Sequence, residues 1–419
     1  MAGASHGRRP DSRPAVTART RTVAPAEIIG WLTVLILPPL IYLAAITAGF
    51  SVQSSIFAAL LGTTVSFWVF GLVDEFVPAL VALVAALIIG LAPPTVALAG
   101  FASPTLLLLL GVYALSAVIS SSGLSYRLIL RLLLALPDKP MWHQITLLGS
   151  GYLLSPLMPS ANARLSLITP VFKDMVTGLR LPIRGTAATG LLAATFAGAL
   201  LFSPMMATSK SSNIAALSLL PAQVQVEFGG LFWLVAAGVA ALGITAIHLM
   251  LMPRLFPSGP ESPLPRDEME GQLQRMGPLK PTEWIAAGGF IFFLLGSATV
   301  AWHHVKPPYI AGCVLLALLL TGTLLRRDFR RELDWPMIFF LLGIDSLMRI
   351  MDYLGLAQAL ARGVDHFFDF IDGRVGIFIL VSLIVTMTVR LALPVTAGML
   401  TSTAILLPVA AASGIHPWI

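Results

Sequence analysis

Apolar stretches of about 20 residues, the length that crosses the hydrocarbon core of a bilayer, recur along almost the whole chain. They fall near 27–49, 53–72, 76–93, 104–121, 185–203, 229–252, 283–302, 308–325 and 336–351. A segment that is apolar all round has no face to turn to water, so the repetition predicts an all-α polytopic membrane protein. Composition agrees: only 11% of the residues are charged, against about a quarter in a soluble domain, and the mean hydropathy is +0.88. A soluble enzyme, a disordered scaffold and a nucleic-acid binder are excluded together. The single cysteine, Cys313, rules out a disulfide framework and a cysteine metal site. The histidines lack the helical spacing of a metal centre, and no nucleophile–base set is present, so neither a metal cofactor nor catalysis is expected.

Five arginines (Arg8, Arg9, Arg13, Arg19 and Arg21) lie in the polar residues 1–26. Such a tail reads as a disordered basic cytoplasmic segment, with an organellar transit peptide as the alternative. With the tail inside and the spans alternating, three of the 26 Lys and Arg fall outside (Lys306, Arg362 and Arg374). Four lie in or near the membrane (Arg164, Lys210, Arg349 and Arg390), and the remaining nineteen lie inside. That bias fits the positive-inside rule. Residues 27–72 form the first two spans, and the polar stretch 254–281 is a cytoplasmic linker. Leu124–Leu136, with Arg127 and Arg131 among leucines, reads as an interfacial amphipathic helix. Asp74 and Glu75 are expected at the inner surface, in water.

Two apolar stretches, 141–176 and 373–412, are interrupted near their centres by Pro, Ser, Asn, Thr and Gly. Each predicts a re-entrant helical hairpin with a polar tip. Around them the sequence repeats. Pro104, Gly111 and Gly123-Leu124 recur at the same intervals as Pro336, Gly343 and Gly355-Leu356, and the hairpin prolines Pro159 and Pro394 follow at nearly the same offset. The alternating spans send 104–121 and 336–351 across in opposite directions, which predicts inverted repeats over 73–253 and 282–419. Inverted repeats with discontinuous helices meeting at the midplane are the architecture of secondary transporters. Irregular backbone survives in a bilayer only where it is buried in protein or lines a wet cavity, so the breaks mark the binding site.

The first tip reads Pro159-Ser160-Ala161-Asn162-Ala163-Arg164. Arg164 at membrane depth requires partners. Two uses are open: a fork for a carboxylate or sulfate, or a clamp on backbone carbonyls. The second tip, from Pro394 to Thr403, carries four hydroxyls, including Thr396 and Thr401, and Arg390 precedes it. A third break follows the span 185–203: Ser203-Pro204, then Thr208 to Asn213. It predicts an unwound segment facing the first tip, which the given residues contain in the first copy. Substrate contacts are therefore expected from Arg164, Asn162, Lys210, Asn213, Thr396 and Thr401. Cation contacts are expected from Ser160, Asn162, Ser212 and Asn213, with sodium as the candidate coupling ion. Asp345 and Arg349, four apart on one helix, are expected to pair.

These segments resemble the divalent anion/sodium symporter (DASS) family of the ion transporter superfamily. The resemblance runs from about residue 50 to 412. The first hairpin of that family carries Ser-Asn-Thr, and some of its di- and tricarboxylate exchangers carry Pro-Ser-Asn-Thr-Ala-Arg. Here Ser160, Ala163 and Arg164 match, Ala161 replaces the Asn, and Asn162 stands where Thr is usual. Asn213 falls where the family has an Asn in its broken fifth helix, while the second Ser-Asn-Thr is not preserved near Thr396 and Gly398. The resemblance implies a homodimer of scaffold and mobile halves, and elevator-like movement of a shared anion and sodium site.

The expected function is secondary active transport of small di- or tricarboxylates or sulfate, by symport or exchange, in a bacterial inner membrane. The alternatives are a metal-oxyanion efflux permease or sodium/proton antiporter on the same scaffold, and a non-transporting membrane scaffold. The first copy continues from Pro170 through the broken helix and a further span, whereas eleven residues follow Pro408. The repeat thus predicts a second broken helix and a last span beyond Ile419.

Overall fold

In the computed structural model, residues 25–220, 224–225, 228, 231–257, 264, 266–356, 373–416 and 418 are described, and among them every regular element is helical. The basic tail and Arg362 lie outside the described residues. The first part of the chain forms α1 (Pro25–Thr47), α2 (Val52–Phe70), α3 (Phe76–Ile89), α4 (Pro94–Ala97), α5 (Pro104–Ser122), α6 (Leu124–Ala135), α7 (Pro140–Leu154), α8 (Ala161–Gly178), α9 (Thr186–Leu201) and α10 (Ser211–Leu219). After it come α11 (Leu231–Leu255), α12 (Arg266–Met276), α13 (Pro281–Ala298), α14 (Val300–His303), α15 (Pro307–Leu320), α16 (Arg326–Arg331), α17 (Trp335–Tyr353), α18 (Val375–Ala392) and α19 (Val395–Ala412). Among the described residues, seven helices are long and apolar enough to cross a membrane, and three shorter ones are apolar. The chain is a multi-pass membrane protein.

One of the seven is α18, which sequence reading took as a hairpin leg; its partner α19 is among the shorter apolar helices. The span read at 336–351 is α17, whose Asp345, Arg349 and Asp352 make it less apolar than the rest. The linker is not wholly irregular, because α12 forms within it.

The recurring Pro and Gly positions fall on matching elements. α5 and α17 have the same length and each begins with a proline in its first turn. α5 packs on α15, and α17 packs on α3. The first of these crossings requires its glycine, and the second leaves room for a Cβ. A Cβ at Gly111 would lie 2.3 Å from the Ala311 carbonyl oxygen on α15, which is backbone and cannot give way. A Cβ at Gly343 would lie 3.5 Å from the Cβ of Ala79 on α3. The same offset separates Gly111 from Gly343 and Ala79 from Ala311, so one kind of crossing occurs twice, more tightly at Gly111.

α6 is the amphipathic helix expected at 124–136, and one of its faces is buried in the protein. Arg127 is buried, as is Glu283 at the start of α13. Its Nε donates to Glu283 Oε1 at 2.8 Å, Nη2 to Oε2 at 3.1 Å, and Nη1 to the Gly277 carbonyl at 2.7 Å. Arg127 is therefore a buried tie within the protein, while Arg131 on the same helix is exposed. Tyr126 donates to Gln272 at 2.8 Å, and Arg266 donates to the Leu136 carbonyl, so α12 runs antiparallel along α6 as a strap.

Candidate functional site

The first hairpin is α7 and α8, joined by the non-helical residues 155–160. α7 is fixed against α9 by a near contact of backbones: a Cβ at Gly198 would sit 2.6 Å from the Leu148 carbonyl oxygen. α9 stops at Leu201 because Pro204 has no N–H to continue the ladder. Two single turns of 3₁₀ helix follow, Ser203–Met205 and Ala207–Ser209, before α10 resumes at Ser211. The third break predicted from the sequence is thus an unwound segment.

Breaking a helix in lipid leaves carbonyls that need donors. In this break the donors come from specific side chains. Arg164, fully buried, donates Nε and Nη2 to the Ala199 carbonyl at 3.1 and 2.8 Å. Its Nη1 reaches the Ser209 carbonyl at 2.8 Å and the Met158 carbonyl in the hairpin tip, and Nη2 also reaches Ser203 Oγ. Asn213 Nδ2 donates to the carbonyls of Ser203 at 2.7 Å and Met206 at 3.1 Å. Trp233 on α11 donates Nε1 to the Pro204 carbonyl at 2.8 Å. A guanidinium has five N–H groups, and all five point at protein oxygens. Of the two uses open from the sequence, Arg164 adopts the carbonyl clamp here and has no N–H left over for an anion.

The other predicted residues are distributed around this clamp. Ser160 caps α8, its Oγ accepting from the Ala163 N–H at 3.3 Å. Asn162 is exposed on the first turn of α8. Lys210 is the residue before α10, half-buried, and close enough to Glu75, Arg164 and Arg390 for their charges to act on it. Ser209 and Ser212 are fully buried, and the Oγ of each has no hydrogen-bond partner among the described residues. Asn213 spends its amide N–H groups on the break and presents its Oδ1 as the remaining polar atom.

The second hairpin is α18 and α19, closed at its base by the Gly373 N–H on the Ser413 carbonyl at 3.2 Å. α19 packs on α10, which brings this hairpin to the break. Thr396 is buried in the first turn of α19, Thr401 is half-buried two turns on, and the neighbouring Ser402 Oγ is buried without a partner. Arg390 is exposed and donates Nη1 to the Leu393 carbonyl at 3.0 Å. Asp345 and Arg349 pair as expected, with Nε to Oδ1 at 3.1 Å. Glu75 differs from its expected solvated position: it is half-buried, and burial pushes its carboxyl above the usual range against the pull of Lys210. Sequence reading missed Trp233, whose indole lies 29 residues beyond its acceptor and has no local signature.

Residues 26–418 match the family described as the sodium:sulfate symporter transmembrane region. The chain belongs to this family. Curated relatives of the symporter-family chain include the inner membrane protein YbhI of Escherichia coli, 24% identical over 310 residues that cover 71% of this chain and 63% of YbhI. The putative malate transporter YflS of Bacillus subtilis is 25% identical over 268 residues, covering 62% of this chain and 56% of YflS. A membrane protein of Cupriavidus necator is 22% identical over 253 residues, covering 59% of this chain and 49% of that protein. The symporter-family chain thus aligns with about half to somewhat under two thirds of the length of these relatives.

Proposed function

We propose that this protein is a secondary transporter of small dianions, either dicarboxylates such as malate or sulfate, and that the anion binds at the break between α9 and α10. The observation that carries the reading is the chemistry left at the break once its carbonyls are accounted for. Two buried hydroxyls, Ser209 Oγ and Ser212 Oγ, have no partner, the flexible cation Lys210 lies between them in sequence, and a guanidinium is fixed alongside. Donors and positive charge in a site shielded from water favour an anion. α10 also turns its N-terminus toward the break, adding partial positive charge. Thr396 and Thr401 enter from the second hairpin, which packs on α10. The family description names sodium and sulfate, and YflS is described as a putative malate transporter.

In this reading the segments 73–253 and 282–419 are inverted copies, the two hairpins are re-entrant from opposite faces, and the hairpins with α9 and α10 travel as one body. A homodimer and a cytoplasmic N-terminus complete it. A thermal-shift panel of sulfate, malate, succinate and citrate against chloride tests the site. A dianion should raise the melting temperature of the wild type and leave that of Lys210→Gln unmoved. An equal response of both proteins would remove Lys210 from the site, and no response to any dianion would remove the anion reading.

A further inference from the structure

The second hairpin brings a cation to the break as well as hydroxyls. Arg390 lies in the last turn of α18, just before the chain leaves the helix at Leu393. Its Nη1 donates to the Leu393 carbonyl at 3.0 Å, which holds the exposed guanidinium at the hairpin tip. Among the described residues, Nε and Nη2 have no hydrogen-bond partner. These two atoms lie along one edge of the guanidinium, the edge with which Arg127 grips both oxygens of Glu283. α19 packs on α10, so this tip and the break are neighbours, and Arg390 is near enough to Lys210 for its charge to act there. No carboxylate among the described residues comes within ion-pair distance of either cation. The charged groups that act on Lys210 are Arg164, Arg390 and one acid, Glu75. Three cations thus face one carboxylate, an excess of two positive charges that complements a dianion.

Resting on the anion-site reading above, we propose that Arg390 is a second anion-binding residue. Lys210 and Arg390 hold the two ends of one dicarboxylate, and the site selects extended dicarboxylates over sulfate. Two cations with no anion between them repel and stand apart. A four-carbon dicarboxylate carries its charges on separate ends and meets both cations as they stand. One end takes the free edge of Arg390 through two parallel hydrogen bonds, and the other takes the Lys210 ammonium. Sulfate carries the same charge on one small tetrahedron. It must either settle on a single cation or draw both together against their repulsion. Because Arg390 belongs to the second hairpin and Lys210 to the break, the dicarboxylate also ties these two segments to each other.

The test varies ligand and residue together, by calorimetric titration of the full chain with succinate, sulfate and succinamate, in which one carboxylate of succinate is a neutral amide. The wild type should bind succinate about tenfold or more tighter than either of the others. Arg390→Gln should lose about tenfold or more in succinate affinity, while its sulfate affinity holds within about threefold because an exposed charge is screened. In that variant succinate and succinamate should agree within about twofold, since the carboxylate that the amide replaces has already lost its partner. Arg390→Lys, which keeps the charge and loses the two-donor edge, should fall between the two proteins. A wild type that binds sulfate or succinamate as tightly as succinate would overturn the two-ended site, and this arm needs no variant to fold. So would Arg390→Gln that binds succinate like the wild type, or that weakens succinate and sulfate equally. Each of these results leaves the anion site at Lys210 standing. No binding of any dianion by the wild type would overturn the anion reading and this proposal with it.

Discussion

Lys210 and Glu75 are the residues where the site's electrostatics become measurable. Lys210 extends from the break into a region that also feels Arg164 and Arg390, and Glu75 is the acid acting on it. Removing the lysine charge should cost about tenfold or more in dianion affinity, because a charged hydrogen bond is worth roughly 1.5–3 kcal/mol, with little change in the melting temperature of the anion-free protein. Glu75 works the other way. Burial raises its carboxyl above the ordinary value, so the folded protein holds that proton more tightly than the unfolded chain does. The stability this lends is present at low pH and is lost as pH rises through the folded-state value. Glu75→Gln should therefore melt higher than the wild type at neutral pH, with the gap closing as the buffer is acidified. A gap that widens on acidification would contradict this reading of Glu75.

At the scale of the elements, the hairpins and the break were legible in the sequence. Pro159, Pro204 and Pro394, each beside hydroxyl or amide side chains inside apolar runs, cannot continue a helix in lipid. What closes the break was not legible. The acceptors for Arg164, Asn213 and Trp233 are backbone carbonyls, which have no residue identity to read. For the same reason the sequence left the fork and the clamp open for Arg164. The buried tie of Arg127 was not legible either, because its partner, Glu283, is 156 residues away. Two element-scale predictions follow from the packing. Trp233→Phe keeps the ring and deletes the donor to Pro204, so it should cost about 1 kcal/mol and quicken exchange at 203–206. Gly198→Ala should cost about 1–3 kcal/mol by forcing α7 and α9 apart, with a larger loss at Gly198 than at the loosely packed Gly343. Equal losses at the two glycines would show that the crossing of α7 and α9 is not as close as described.

For the whole molecule, the packing of α5 on α15 and of α17 on α3 interleaves the two halves of the chain, while α12 straps α6 at one end. The Arg127–Glu283 pair ties α6 to the start of α13, just beyond the strap, inside the protein. Breaking a buried pair by removing one partner costs about 3–5 kcal/mol, whereas an apolar replacement of both is often neutral. Arg127→Met alone should thus lower the melting temperature sharply, and the double variant Arg127→Met with Glu283→Leu should recover most of the loss. A double variant no better than the single one would mean that the Gly277 carbonyl contact, and not the ion pair, holds the strap. The polytopic all-helical architecture could be anticipated from the recurring apolar runs, and the close crossing at Gly111 leaves its mark as a glycine. The strap could not, because it depends on polar contacts between segments distant in sequence.

The central claim is that the break, the first hairpin tip and the second hairpin form one site that carries a dianion across the membrane. Counterflow tests it most directly: proteoliposomes loaded with unlabelled malate are diluted into a trace of labelled malate, and the overshoot is followed for the wild type and Lys210→Gln. The account predicts a saturable overshoot for the wild type, suppressed by external sulfate or succinate, and none for Lys210→Gln. An overshoot of equal size in both proteins, or none above protein-free vesicles for the wild type, would contradict it.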